Sequence, residues 1–316
     1  MSQNENQKLG LRVNIKTLSA LAYRLGLKEE ILVSESRKAG AYYNPFKSTA
    51  KPPPFAKQMP KLKERVIDNP VDPLRFIQNR IYKRLLQPLI WPDHIHGGIK
   101  GRSLVMNVTH HLRSNVIVTL DIKSFFPNVT TLQIYNVWEE LLGCSPQVAG
   151  LLTRFTTFER HLPQGASTSS ALANLVLFSI DQPIRDYCRE EGILYTTWID
   201  DLAFSGEGSR QVINVAVNAL REGGFVAPHR KLRIMPAQDR QFLTGLLLNK
   251  QPVILREYVS ATRSGIYKLA KGYIPKRDRE RYVKSIEGRI TYIRLINPRR
   301  ARPLELNLTV TLDHLK

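Results

Sequence analysis

The 316-residue chain carries 47 Lys and Arg against 27 Asp and Glu, a formal net charge of +20. Such an excess asks for a polyanionic partner, nucleic acid first, and leaves a generally basic soluble protein as the bland alternative. Hydrophobic residues make up 42%, enough for a sizeable core, yet no apolar run reaches the ~20 residues that cross a bilayer. The opening Met1–Gln7 lacks the basic-then-apolar pattern of a signal peptide, and Cys144 and Cys188 match no zinc spacing or disulfide framework. The expectation is a cytoplasmic protein with two free thiols and no membrane span.

In chain order, residues 1–35 read as helical, with Leu18, Leu21, Ala22 and Leu25 on one face. Residues 44–63 hold Pro45, Pro52, Pro53, Pro54 and Pro60 with five lysines, which favours an extended or looped basic segment. Over 73–90, Leu74, Ile77, Ile81, Leu85 and Leu86 recur at helical spacing. From 115 onward strands and helices alternate: a strand to Ile122, helices near 131–142 and 146–156, and a long helix over 168–190. A hairpin over 193–206, a helix over 208–222, a hairpin near 231–255 and a basic helical tail from 256 complete an α+β body.

Chemistry concentrates in three carboxylates. Asp200 and Asp201 are adjacent at the end of an apolar run, Ile193 to Ile199, where they repel one another and need a cation or open water. Asp121 sits inside a second strand-like run, 115–122. Three carboxylates on two strands are what two-metal phosphoryl transfer requires. Each also has a plain reading: an Asx-type turn for the pair, and a strand-end carboxylate bonded to local backbone for Asp121.

The order of segments decides between these readings. Asp121-Ile-Lys-Ser-Phe-Phe126, then Leu162-Pro163-Gln164-Gly165, then Trp198-Ile199-Asp200-Asp201 closely resembles the palm of reverse transcriptases. Two further segments resemble the retron-type prokaryotic members: Asn107-Val108-Thr109-His110-His111, with Val where their box has Ala, and Leu243-Thr244-Gly245. Trp198 stands where the family has Tyr, Ile199 where a small residue is common, and Pro228 where a polar turn is usual. Ala166–Ser170 carries serines where prolines are commoner. The aspartates are unaffected.

The resemblance implies a right-hand polymerase. It would have an N-terminal helical and basic extension (1–60), fingers (61–115), a palm of antiparallel sheet plus helices (116–250, with part of the fingers inserted at about 131–165) and a helical thumb (251–316). It implies two Mg²⁺ ions held by Asp121, Asp200 and Asp201, with Lys231 protonating pyrophosphate. Lys63 and Arg65 would grip the triphosphate, Gln164 and Gly165 the incoming nucleotide, and Phe126 would exclude a 2′-hydroxyl. The residue-level alternatives are a surface lysine at 231, core packing at Phe126 and a general phosphate-binding surface at Lys63 and Arg65.

Retron enzymes copy part of a structured noncoding RNA into DNA joined to that RNA (msDNA), using the RNA as template and primer, often beside a toxin or effector protein in anti-phage defence. On that resemblance the partners are such an RNA, its RNA–DNA product and dNTPs, with Asn107, His111, Thr244 and Gly245 as RNA contacts. Between 276 and 302, ten Lys and Arg face three acids with Tyr282 and Tyr292 interleaved. That balance adds Arg277, Arg281 and Lys284 as RNA contacts. The competing expectations are a related defence enzyme making untemplated or protein-primed DNA, and an RNA-binding scaffold.

Overall fold

The computed structural model describes residues 10–49, 64–248 and 252–315. The chain enters through two helices, α1 (Leu18–Leu25) and α2 (Glu29–Lys38). Residues 10–16 are irregular, so the single helical stretch expected over 1–35 is corrected within the described part. Thr17 caps α1 by accepting from the Ala20 N–H at 3.2 Å, and Gly26 ends it in the left-handed conformation with its N–H on the Ala22 carbonyl.

A two-stranded antiparallel ribbon follows, β1 (Tyr43–Thr49) on β2 (Glu64–Pro70). The extended expectation therefore holds over 43–49, while Lys63 lies outside the described residues. Helix α3 (Leu74–Ile81) runs into a π-helical turn at Tyr82–Leu86, burying Leu74, Ile77, Ile81, Leu85 and Leu86 as their spacing requires. The short α4 (Leu104–Thr109) is capped by Ser103.

The centre is a four-stranded, wholly antiparallel sheet in the order β4-β5-β3-β6: β3 is Val116–Asp121, β4 Leu194–Trp198, β5 Asp201–Ser205 and β6 Arg233–Pro236. Central strands buried on both faces read as continuous apolar runs, and Ile117, Val118, Leu120, Leu202, Ala203 and Phe204 are all buried. Between β3 and β4 lie α5 (Phe125–Asn128), α6 (Thr131–Asn136), α7 (Pro146–Thr156), α8 (Ser169–Ile180) and α9 (Gln182–Glu190).

The long helix expected over 168–190 is two. Pro183 lacks an N–H and its ring excludes a preceding turn, so the chain breaks at Asp181. Buried Asp181 is held there by Arg185 Nε at 2.8 Å, Tyr195 Oη at 3.0 Å and His94 Nε2 at 3.2 Å. Helix α10 (Val212–Glu222) follows β5.

The hairpin expected near 231–255 is also corrected. β6 pairs with β3 in the central sheet, and β7 (Phe242–Leu243), β8 (Leu246–Leu248) and β9 (Pro252–Val253) form a separate antiparallel meander. The tail is helical as expected: α11 (Arg256–Ala270), α12 (Arg279–Ile296) and α13 (Pro298–Asp313) bury Ile266, Leu269, Ile286, Ile290, Ile293, Leu304 and Leu308 among themselves. Tyr292 and Ile296 of α12 join this bundle to a small cluster of Val108, Ile117, Met235, Leu243 and Leu246 under the sheet. Among the described residues no helix is long and apolar enough to cross a membrane.

Candidate active site

Strand register brings the three aspartates together. Asp121, the last residue of β3, is the cross-strand partner of Asp201, the first residue of β5. Trp198 also pairs with Asp201, leaving Ile199-Asp200 as a two-residue loop at the tip of the β4–β5 hairpin. Only the first loop residue has positive φ, the pattern that ordinarily selects Gly. Ile199 instead adopts φ 59°, which for a β-branched residue costs about 1–2 kcal/mol.

Contacts on both flanks hold that conformation. The Ile122 N–H donates to the Asp200 carbonyl at 2.9 Å, fixing the tip to the end of β3. On the other side His94–Gly97 runs beside β4: the Thr197 N–H donates to the His94 carbonyl (2.7 Å) and the His96 N–H to the Thr197 carbonyl (2.9 Å). A Cβ at Gly97 would lie 2.6 Å from the Ile199 nitrogen, so only glycine lets this segment approach the hairpin. The Gly97 carbonyl in turn accepts from Asn174 Nδ2 of α8 at 2.7 Å.

The carboxylates are expensive to ionise. Burial, then the charge of Asp200, pushes the Asp201 carboxyl up to about 6, with Arg233 opposing the shift. Burial also raises Asp200, against its own backbone hydrogen bond and the charge of Arg65 on β2. Asp121 Oδ1 accepts from the Lys231 ammonium, which the turn His229–Lys231 delivers just before β6. Among the described residues no three Asp, Glu, His or Cys side chains are already gathered as a metal cage. The oxygen-only donor set, partly desolvated and with Asp121 already drawing a cation, fits a hard divalent ion.

Around this wall lie the other expected residues. Phe125 is buried edge-on to Phe225 (5.1 Å between ring centroids), while Phe126 is half-buried and packs against the edge of the same core. Gln164 is bound to β2. Its carbonyl accepts from the Asp68 N–H at 2.7 Å, and its N–H donates to Asp68 Oδ2 at 3.0 Å. His161 Nε2 meets the same oxygen at 3.1 Å. Gly165 has φ 129°, and a Cβ there would lie 3.0 Å from Ile67 Cγ2 and 3.2 Å from the Asp68 carbonyl. Buried Asp68 thus fastens the Gln164 turn to the strand that carries Arg65. Neither Asp68 nor Gly97 stands out in the sequence, because each acts through a fold-made contact. The doublet Gly97-Gly98 was the one visible signal.

The segments expected to contact RNA divide. His111 is fully buried, Nδ1 2.7 Å from Ser205 Oγ and Nε2 2.7 Å from Thr196 Oγ1, and Asn107 is 1% exposed. The expectation of direct RNA contact at these two is corrected: burial removes both from solvent, and His111, in the turn after α4, is a strut to β4 and β5 of the sheet. Thr244 and Gly245, with φ 47° and 86°, form the two-residue turn of the β7–β8 hairpin, with positive φ at both positions. The Thr244 hydroxyl is buried without a partner. Arg277, Arg281 and Lys284 are exposed, but Lys284 pairs with Glu280 at 2.6 Å and Arg277 with Asp278 at 3.5 Å.

Comparison with known proteins agrees with this geometry. The family profile described as reverse transcriptase (RNA-dependent DNA polymerase) matches residues 55–245. The chain is 24% identical to the Retron Ec86 reverse transcriptase of Escherichia coli over 308 residues, 96% of this chain and 88% of that protein. It is 29% identical over 260 residues to the Retron Mx65 reverse transcriptase of Myxococcus xanthus (76% and 60%). With the Retron Se72 reverse transcriptase of Salmonella heidelberg it shares 28% over 194 residues (61% and 49%). The profile spans well over half of the chain and contains Asp121, the Gln164 turn and the Asp200-Asp201 hairpin, so this protein belongs to the reverse transcriptase family of RNA-dependent DNA polymerases.

Proposed function

We infer that the protein is a retron reverse transcriptase: it copies a structured noncoding RNA, which also supplies the primer, into RNA-linked single-stranded DNA in anti-phage defence, beside a toxin or effector protein. One observation carries the chemical part, the pairing of Asp121 with Asp201 across β3 and β5 with Asp200 at the adjoining tip. In this reading β2 and the following helices are the fingers (61–115), the central sheet with its helices the palm (116–250, with part of the fingers inserted at about 131–165), and α11–α13 the thumb (251–316).

Asp121, Asp200 and Asp201 would hold two Mg²⁺ ions. When bound, these ions supply activation of the primer hydroxyl and charge neutralisation on the triphosphate. The chain's own groups do the rest. Gln164 and Gly165 seat the incoming dNTP against the fingers strand, where Arg65 adds positive charge toward the phosphates. Phe126 fills the space a 2′-hydroxyl would need. The primer hydroxyl gives up its proton to solvent water as its oxygen bonds to the α-phosphorus and the bridge to the β-phosphate breaks; the electron pair leaves on pyrophosphate, and Lys231 supplies its proton.

The double variant Asp200→Ala with Asp201→Ala tests the assignment. DNA synthesis on a supplied primer–template is expected to vanish while RNA binding stays within a few-fold. Incorporation at the wild-type level would overturn it. Sequencing the nucleic acid that co-purifies with the protein tests the retron part. DNA joined to an RNA encoded beside the gene supports it, whereas untemplated or protein-linked DNA, or RNA alone, assigns the chain to a related defence enzyme or to a scaffold.

A further inference from the structure

The basic run over 276–302 is not uniform, and two of its arginines, Arg299 and Arg300, stand elsewhere. On the face of Arg277 and Lys284 charges are paired with neighbouring acids. A different group converges on a cleft of about 540 Å³ lined by α11 and α13 alone. Arg256 and Arg263, two turns apart on α11, face Arg299 and Arg300 of α13 over an apolar floor that includes Val259 and Leu304. All four guanidinium groups are exposed, and among the described residues none has a carboxylate partner.

Two physical conflicts make this cleft unlike an ordinary solvated face. Four like charges around one concavity repel one another and sum to a strong positive potential. Three of them sit in the wrong part of their helices: Arg256 opens α11, and Arg299 and Arg300 lie in the first turn of α13, where the helix dipole disfavours cations. Local rules broken together at one place signal a site rather than a scaffold. An anion resolves both conflicts. The apolar floor of Val259 and Leu304 beside the guanidinium groups fits a base laid next to its phosphates better than a base-paired stem, whose bases are turned inward.

The cleft also stands apart from the polymerase site. α12, the helix that carries Tyr292 and Ile296 onto the sheet, contributes nothing to it, and none of the residues placed at the polymerase site lines it. We propose that the α11–α13 cleft is a second nucleic-acid site, which holds an unpaired nucleotide and its flanking phosphates in a single-stranded segment. This rests on the reading of the chain as a nucleic-acid polymerase and adds a binding site to it. Template RNA and DNA product both present that chemistry.

The test uses the full chain and two fluorescently labelled probes, a single-stranded oligouridylate and an oligothymidylate, followed by anisotropy across a salt titration. Arg263→Gln with Arg299→Gln is expected to weaken binding on the order of tenfold, and to make the log–log salt dependence shallower by roughly 1.4, about 0.7 for each single-strand phosphate that is no longer neutralised. Arg210→Gln with Arg221→Gln, the same reduction in charge at and beside α10, serves as the control and should shift both far less. Arg263→Lys with Arg299→Lys should keep the slope but recover only part of the affinity, since an ammonium cannot make the planar bidentate contact. Preference for one probe assigns the segment to RNA or to product DNA. Unchanged binding in the cleft variant, or equal weakening in the α10 control, overturns the proposal. Primer extension by the wild-type chain, measured alongside, separates failure of the cleft from failure of the polymerase reading.

Discussion

Replacing His111 with Gln should change how stability depends on pH, not only how large it is. Burial first, then the charges of His110 and His96, hold the imidazole down at about 3, against its ordinary value of 6.5. The ring is neutral in the folded protein at any pH above about 3 and takes up a proton on unfolding below 6.5. The unfolded state therefore binds more protons in that window, and stability falls as pH falls through it. Each pH unit inside the window costs about 1.36 kcal/mol, so between pH 6.5 and 5 this one side chain removes roughly 2 kcal/mol. The variant should be less stable than wild type at pH 7, because the Ser205 and Thr196 hydroxyls lose their partner. At pH 5 the gap should narrow by roughly those 2 kcal/mol. Urea denaturation at the two pH values reads the difference directly. A gap of constant size would mean that the imidazole is not held neutral by the fold, and the strut assignment would fail with it.

Other perturbations follow from the site geometry. Asp68→Ala strands the part-buried Gln164 N–H and should cost about 1–3 kcal/mol and raise KM for dNTP more than it lowers kcat, while Asp68→Asn, which keeps an acceptor oxygen, should restore most of both. Equal effects on kcat and KM would reject the positioning role. Gly97→Ala forces the 94–97 segment off Ile199 and should cost about 1–3 kcal/mol with loss of synthesis; a fully active, fully stable variant would contradict the close approach. Thr244→Asn suits the left-handed turn better and should stabilise the chain by about 0.5–1 kcal/mol in thermal melts. If it also lowers affinity for the cognate RNA, the Thr244 hydroxyl serves recognition. Mg²⁺ at ~100 times its Kd should add roughly 2.7 kcal/mol of stability to the wild type and little to Asp200→Asn with Asp201→Asn. Equal stabilisation of both would place the ions elsewhere.

Much of the fold was legible because it follows from one-dimensional rules. The alternation of strands and helices, the helices over 146–156 and 74–81, and the β4–β5 hairpin come from periodicity. What escaped depended on pairing at a distance. Pro183 was visible, yet the apolar run through Phe178 hid the break at Asp181, whose stabilising partners come from β4 and from residue 94. β6 and β7 are both short strands with no alternation to show that one joins β3 and the other does not. At the site, residue identity announced the aspartates and the Gln164 turn. The residues that hold them, Asp68, Gly97 and Asn174, have unremarkable neighbours in sequence and become meaningful only through contacts 77 to 96 positions away. His111 misled for the converse reason: its motif marked a position, and burial decided what the position does.

The close fit of Gly165 against Ile67 and Asp68 has a consequence for how such proteins diverge. A side chain at 165 is tolerable only if β2 withdraws, and β2 can withdraw only if the turn gives up the carboxylate that holds Gln164 and His161. Substitutions at positions 67, 68, 161 and 165 are therefore expected to be coupled. Chimeras that exchange the fingers of two relatives at a boundary between 70 and 160 will separate the coupled positions, whereas exchanges that carry both sides together should breed true.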